Sequence, residues 1–128
     1  MTFAVTSLYA SILTIAVIVL AILVSAKRGQ TGISILDGGN SDLAVSMRRH
    51  GNFVENVPLA LLLMALCEAR GLGAAWLHTI GVVLLAGRAL HVIGLDAVHP
   101  AAPLRIIGTV ATQLSMLGAV VFLLWSLL

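Results

Sequence analysis

Arg48, Asn52 and Glu55 stand four and three residues apart in a chain made mostly of apolar side chains. On a helix each residue turns about 100°, so the three share one face. That face continues as Leu59, Leu62 and Leu66. A charged group at the centre of a bilayer costs on the order of 2.5–3.5 kcal/mol on insertion scales, which drives such residues toward a bundle interior or a cavity. Something polar is therefore expected to bind there. Arg88 and His91 form a second pair, three residues apart on one helical side, and Arg105 and Thr109 a third.

Each of these residues also has a plainer reading. Arg48 and Arg105 could snorkel to anionic headgroups, and Arg49, pointing away from the Asn52 and Glu55 face, is expected to do so. Glu55 needs a partner, for which Arg48, Arg88 or a basic group of a neighbouring subunit is available. Asn52 and Gln113 could bridge helices. His78 and His99 fall near helix ends, where an interfacial role is expected. Cys67, the only cysteine, excludes an intramolecular disulfide and reads as a buried thiol in the apolar run 57–67. No metal site is expected.

The elements that position these groups follow from hydropathy. The chain has 128 residues, of which 60% are hydrophobic and 9% charged, with a mean hydropathy of +1.12. Soluble domains carry about 25% charged residues. This composition predicts an all-α integral membrane protein, one domain over residues 1–128, with about four spans of roughly 20 residues. A net charge of +2 is too small to suggest a nucleic-acid partner. The first span, residues 4–26, lacks charge and is expected to stop at Lys27-Arg28-Gly29, as a retained anchor. The glycine-rich stretch 29–40 reads as a loop with a turn at Asp37-Gly38, and Asn40, Ser41 or Asp42 could cap the next helix. Helices are expected over 43–69, 75–95 and from about 102 onward, with Pro103 in the first turn. Trp76 and Trp125 read as interface anchors. Gly108, Ala111, Ser115 and Ala119 form a small-residue seam suited to close helix or subunit packing.

Basic residues set the orientation. Lys27, Arg28, Arg48, Arg49 and Arg105 face the first and third loops, and Arg70 the opposite side. The positive-inside rule then puts both termini outside and those loops in the cytoplasm. At 1.5 Å per residue, about 20 residues back from Arg70 crosses a hydrocarbon core of about 30 Å and ends near His50. Asn52 and Glu55 then sit just inside the cytoplasmic edge, at the depth of Arg88, His91, Arg105 and Thr109.

Taken together, Arg48-x-x-x-Asn52-x-x-Glu55 followed by Val57-Pro58-Leu59, Gly87-Arg88-Ala89-Leu90-His91, and Ala102-Pro103-Leu104-Arg105 resemble the MAPEG family, the membrane-associated proteins in eicosanoid and glutathione metabolism. The likeness is greatest to its short bacterial members, and so implies a bacterial inner membrane. It further implies a four-helix transmembrane bundle that forms a homotrimer, with glutathione held between subunits near the cytoplasmic side. Arg48, His50, Asn52 and Glu55 would contact glutathione, Arg88 and His91 would line the pocket, and Arg105 matches the arginine that activates the thiolate. The implied reaction is glutathione transfer to a hydrophobic electrophile, or reduction of a lipid hydroperoxide. The chain departs from better-known members in lacking the serine after the catalytic arginine and the tyrosines of the third and fourth helices. Ile106, Leu95 and Thr109 stand in those stretches, and Tyr9 is the only tyrosine. Two other classes compete: a glutathione- or lipid-binding protein without turnover, and a small proton-coupled exporter. Exporters of that kind carry their acid in the first helix, which here has none.

Overall fold

The computed structural model describes residues 3–99 and 102–128. Four helices follow in chain order, α1 Ala4–Thr31, α2 Ser41–Ala69, α3 Ala74–Gly94 and α4 Pro103–Trp125. All four are long and apolar enough to cross a membrane. Three match the expected spans to within two residues. The exception is α1, which runs through Lys27 and Arg28 to Thr31 instead of stopping before them. Both cations are good helix formers and are favoured at a helix C-terminus by its dipole. The stop comes at Gly32, whose left-handed φ of 70° lets its N–H bond the Arg28 carbonyl.

Arg28 then organises the loop, donating through Nη1 to the carbonyls of Ile33 at 3.1 Å and Leu36 at 3.0 Å. The Asp37-Gly38 turn forms as expected, closed by Asn40 N–H to the Asp37 carbonyl at 2.8 Å. Of the three possible caps of α2, Asn40 serves: its Oδ1 accepts from Leu43 N–H at 2.9 Å.

Phe3, at the N-cap position of α1, makes no side-chain cap bond. The cap comes from Glu68, in the last turn of α2, whose Oε1 and Oε2 accept from Val5 N–H at 3.0 Å and Thr6 N–H at 2.9 Å. A carboxylate there satisfies two otherwise unpaired donors and complements the dipole. Glu68→Ala should destabilise the protein by about 1–2 kcal/mol. Glu68→Gln, which keeps an acceptor, should fall between. Thermal unfolding in detergent measures both, and an unchanged midpoint for Glu68→Ala would contradict this role.

With the N-terminal end of α1 tied to the C-terminal end of α2, the extra length of these two helices emerges at the other end. At 1.5 Å per residue, α3 and α4 span about 31–35 Å, close to a hydrocarbon core of about 30 Å. The 28 and 29 residues of α1 and α2 exceed that by roughly 10 Å. The overhang carries Lys27, Arg28, Arg48 and Arg49 to the surface of the bilayer, and is called the basic end below.

Apolar residues of α1, α2 and α3 meet in the core, chiefly Tyr9, Leu13, Leu20, Phe53, Val57, Met64 and Leu84. Tyr9 lies flat enough on Gly81 that any side chain there would overlap its ring. The Tyr9 hydroxyl reaches His78 Nδ1 at 3.1 Å and the His78 carbonyl at 3.2 Å, so His78 ties α3 to α1. Cys67 is fully buried as expected, against Ala119 and Leu77.

The closest approach is between α3 and α4. A Cβ at Gly108 would strike the backbone nitrogen of His91, and one at Gly94 the backbone nitrogen of Arg105. Gly108, Thr112, Ser115 and Ala119 are buried on this face. Of the small-residue seam, Gly108, Ser115 and Ala119 thus serve helix packing within the subunit and are not available to a second copy, while Ala111 is half-buried. Outward-facing Ile15, Leu62, Val82 and Leu117 are exposed and suit contact with lipid.

Candidate functional site

Arg88 is the centre of the polar cluster at the basic end. It is 2% exposed, held where α2, α3 and α4 converge. Its Nη1 donates to Asn52 Oδ1 at 2.7 Å and reaches the Asn52 carbonyl at 3.4 Å; its Nε donates to Thr112 Oγ1 at 2.8 Å. The Thr112 hydroxyl in turn donates to the Gly108 carbonyl at 2.9 Å. These acceptors are all neutral. Among the described residues no carboxylate lies within ion-pair distance of Arg88. Gly87 brings the two helices close enough for this bond, since a Cβ there would meet Thr112 Oγ1.

His91, one turn further along α3, is 3% exposed. Its Nδ1 is buried and has no hydrogen-bond partner among the described residues. Arg88 precedes it by one turn of α3, and Arg105 enters α4 against Gly94, one turn beyond it. Arg105 is half-buried in the first turn of α4, aligned there by the contact of its backbone with Gly94 and by Thr109 Oγ1, which donates to its carbonyl at 2.9 Å.

The face shared by Arg48, Asn52 and Glu55 divides. Asn52 turns in to Arg88, while Arg48 and Glu55 stay outside and pair with each other at 3.5 Å, their side chains 62% and 56% exposed. Of the partners open to Glu55, Arg48 is the one found in the subunit. Leu59, Leu62 and Leu66 continue the exposed stripe. His50 is half-buried, but it lies two residues from both Arg48 and Asn52, and such neighbours do not share a helical face. Among the described residues it bonds none of the cluster.

Arg49 does more than snorkel: its Nη2 donates to the Leu95 carbonyl at 2.8 Å, satisfying an end group of α3. His99 pairs with Asp96 at 2.8 Å in the loop after α3. That contact, with the Val98 N–H bond to Oδ1 at 3.1 Å, holds the Asp96 carboxyl below its usual range. Gln113 is exposed.

Thr112 and Glu68 are the residues whose roles sequence reasoning missed. Thr112 sits within α4 spacing of Gly108 and Ser115, a signal that it faces α3. Glu68 gave the subtler sign, an acid at the end of an apolar span, at the depth where the first helix starts. A cleft of about 700 Å³ lies elsewhere, at the end opposite the basic one, between Trp76, Ile80, Val83, Leu114, Phe122 and Trp125, and no charged side chain lines it.

The arrangement can receive an anion, hold it against several guanidinium groups and keep a developing negative charge stable beside them. The model of the MAPEG family matches residues 6–125. The chain is 39% identical over 98 residues to the inner membrane protein YecN of Escherichia coli strain K12, covering 77% of this chain and 73% of that protein. The YecN of E. coli O6:H1 is similar to the same extent. No solved structure matches.

Proposed function

Because the chain belongs to the MAPEG family, we propose that it is a glutathione-dependent enzyme of the bacterial inner membrane, acting on hydrophobic electrophiles or lipid hydroperoxides from the cytoplasmic side. The observation that carries this reading is the burial of Arg88 among neutral acceptors, one turn from a buried histidine whose Nδ1 has no partner among the described residues. A buried cation without a counter-charge is costly. A ligand bearing carboxylates and a thiolate supplies the missing anion.

In this reading Arg48, Asn52, Arg88 and His91 hold glutathione, Glu55 receives its ammonium group, and Arg105 stabilises the thiolate. The family likeness, not the geometry of the subunit, adds His50 to the set. In conjugation the thiolate sulfur forms a bond to the electrophilic carbon, and the leaving group departs with its electron pair. With a hydroperoxide the sulfur takes the terminal oxygen and the alkoxide leaves, gaining a proton. A second glutathione thiol then displaces the sulfenic hydroxyl as water, giving the disulfide.

The exposed Arg48 and Glu55 support a homotrimer with the site completed by a neighbouring subunit. They lie at the edge of the hydrocarbon region on an outward face, where lipid contact is unfavourable and a second copy would cover them. Native mass measurement in mild detergent should show three chains; a monomer or dimer would remove the intersubunit site.

The direct test is thermal unfolding with glutathione. A ligand of the folded state must raise the midpoint, and Glu55→Gln should weaken binding roughly ten- to a hundredfold, the loss of one charge-assisted hydrogen bond of about 1.5–3 kcal/mol. Equal affinity of the two proteins would exclude the ammonium contact, and absence of any stabilisation would defeat the proposal. Binding without turnover would instead favour a non-catalytic glutathione-binding protein.

A further inference from the structure

A second polar cavity opens at the basic end, away from the Arg88 cluster. It measures about 400 Å³ and is lined by Lys27 of α1, Asp42, Ser46 and Arg49 of α2, and Ile93 and Asp96 at the end of α3. Two cations and two carboxylates thus face one space. Lys27 Nζ stands 3.6 Å from Asp42 Oδ2, too far for a good hydrogen bond. Among the described residues Arg49 Nε has no acceptor.

Ile93 also lines a groove of about 370 Å³ between α1 and α3, apolar except that Arg88 borders it, whose α1 wall runs through Leu23, Leu20, Val19 and Ala16. The two cavities therefore meet at Ile93, one polar and at the membrane surface, the other apolar and running inward. From Lys27 to Ala16 the wall descends about 16 Å at 1.5 Å per residue, which is half of a hydrocarbon core of about 30 Å. That is the depth of one leaflet.

We propose that these joined cavities form a binding site for a phospholipid with a primary-amine zwitterionic headgroup, a phosphatidylethanolamine, from the leaflet at the basic end. The phosphate lies against Lys27, Ser46 and Arg49. The ammonium lies against Asp42 and Asp96, and one acyl chain fills the groove along α1. Charge complementarity selects the headgroup. A phosphocholine presents a cation that cannot donate N–H bonds to the two carboxylates. A phosphoglycerol matches the cations but draws Lys27 from Asp42 without supplying a cation in its place, and brings none to Asp96, whose partner is His99 alone. The headgroup cavity uses none of the glutathione residues and the groove touches them only at Arg88, so the lipid preference stands whether or not that reading holds.

The test is lipid titration followed by native mass spectrometry in mild detergent, with phosphatidylethanolamine, phosphatidylcholine and phosphatidylglycerol of identical acyl chains. The unmutated protein should bind phosphatidylethanolamine about tenfold more tightly than either of the others, the effect of about one charge-assisted hydrogen bond. Asp42→Asn with Asp96→Asn should abolish that preference, Lys27→Gln should weaken phosphatidylethanolamine binding severalfold, and Val19→Trp should block the groove and lower binding of all three. Equal binding of the three lipids by the unmutated protein overturns the proposal, as does a preference that survives the double variant. The first comparison needs no variant, so it decides the matter even if a substitution impairs folding.

Discussion

Arg105→Ala should slow glutathione conjugation on the order of twentyfold at pH 7 and less than about twofold at pH 9. A free thiol with a pKa near 8.5 is about 3% ionised at pH 7. A nearby cation that lowers it by about two units makes most of it thiolate. Removing the cation returns the nucleophile to its small neutral-pH population, whereas at pH 9 it ionises mostly unaided. The effect should appear in turnover more than in affinity, because the charge that Arg105 stabilises is fully present only on the thiolate. Arg105→Lys should fall between, keeping a cation but losing the planar fork. The measurement is the rate with a chlorinated aromatic or an organic hydroperoxide across this pH range. An equal loss at both pH values, or none, would assign thiolate activation to another group.

Gly108→Ala should unfold the protein or lower its stability by about 3 kcal/mol, the upper end of ordinary overpacking effects. The added methyl meets the backbone of His91 and the carbonyl of Gly87, and backbone cannot yield as the tip of a flexible side chain can. The helices must separate at the point that sets Arg105 beside His91. Gly118→Ala is the matched control: it lies in the same helix with nothing within 4 Å of the added carbon, and it should be neutral or slightly stabilising. Thermal unfolding and recovery of a folded species in detergent compare the two. Similar midpoints would show that the crossing is looser than described.

The four helices and their limits were legible because apolar length and glycine punctuation act locally. The overrun of α1 was not, since Lys27 and Arg28 mark a membrane edge without ending a helix. At the site, spacing correctly placed Arg48, Asn52 and Glu55 around one stripe of α2 and put them at the depth of Arg88, His91 and Arg105. Spacing within a helix cannot say which neighbour it packs against. The inward turn of Asn52 to Arg88 and the service of Arg49 to the Leu95 carbonyl depend on that packing. So does the use of Gly108, Ser115 and Ala119 within the subunit, which short sequence patterns do not distinguish from use between subunits.

The carboxylate of Glu68 bears on how the chain enters the membrane during synthesis. The donors that it satisfies on α1 lie 63 and 62 residues upstream, so they leave the ribosome long before their acceptor. In an apolar medium such donors are costly until paired. The first span made is therefore completed only by the far end of the second, and the smallest unit with its backbone satisfied at this end is the α1–α2 hairpin rather than α1 alone.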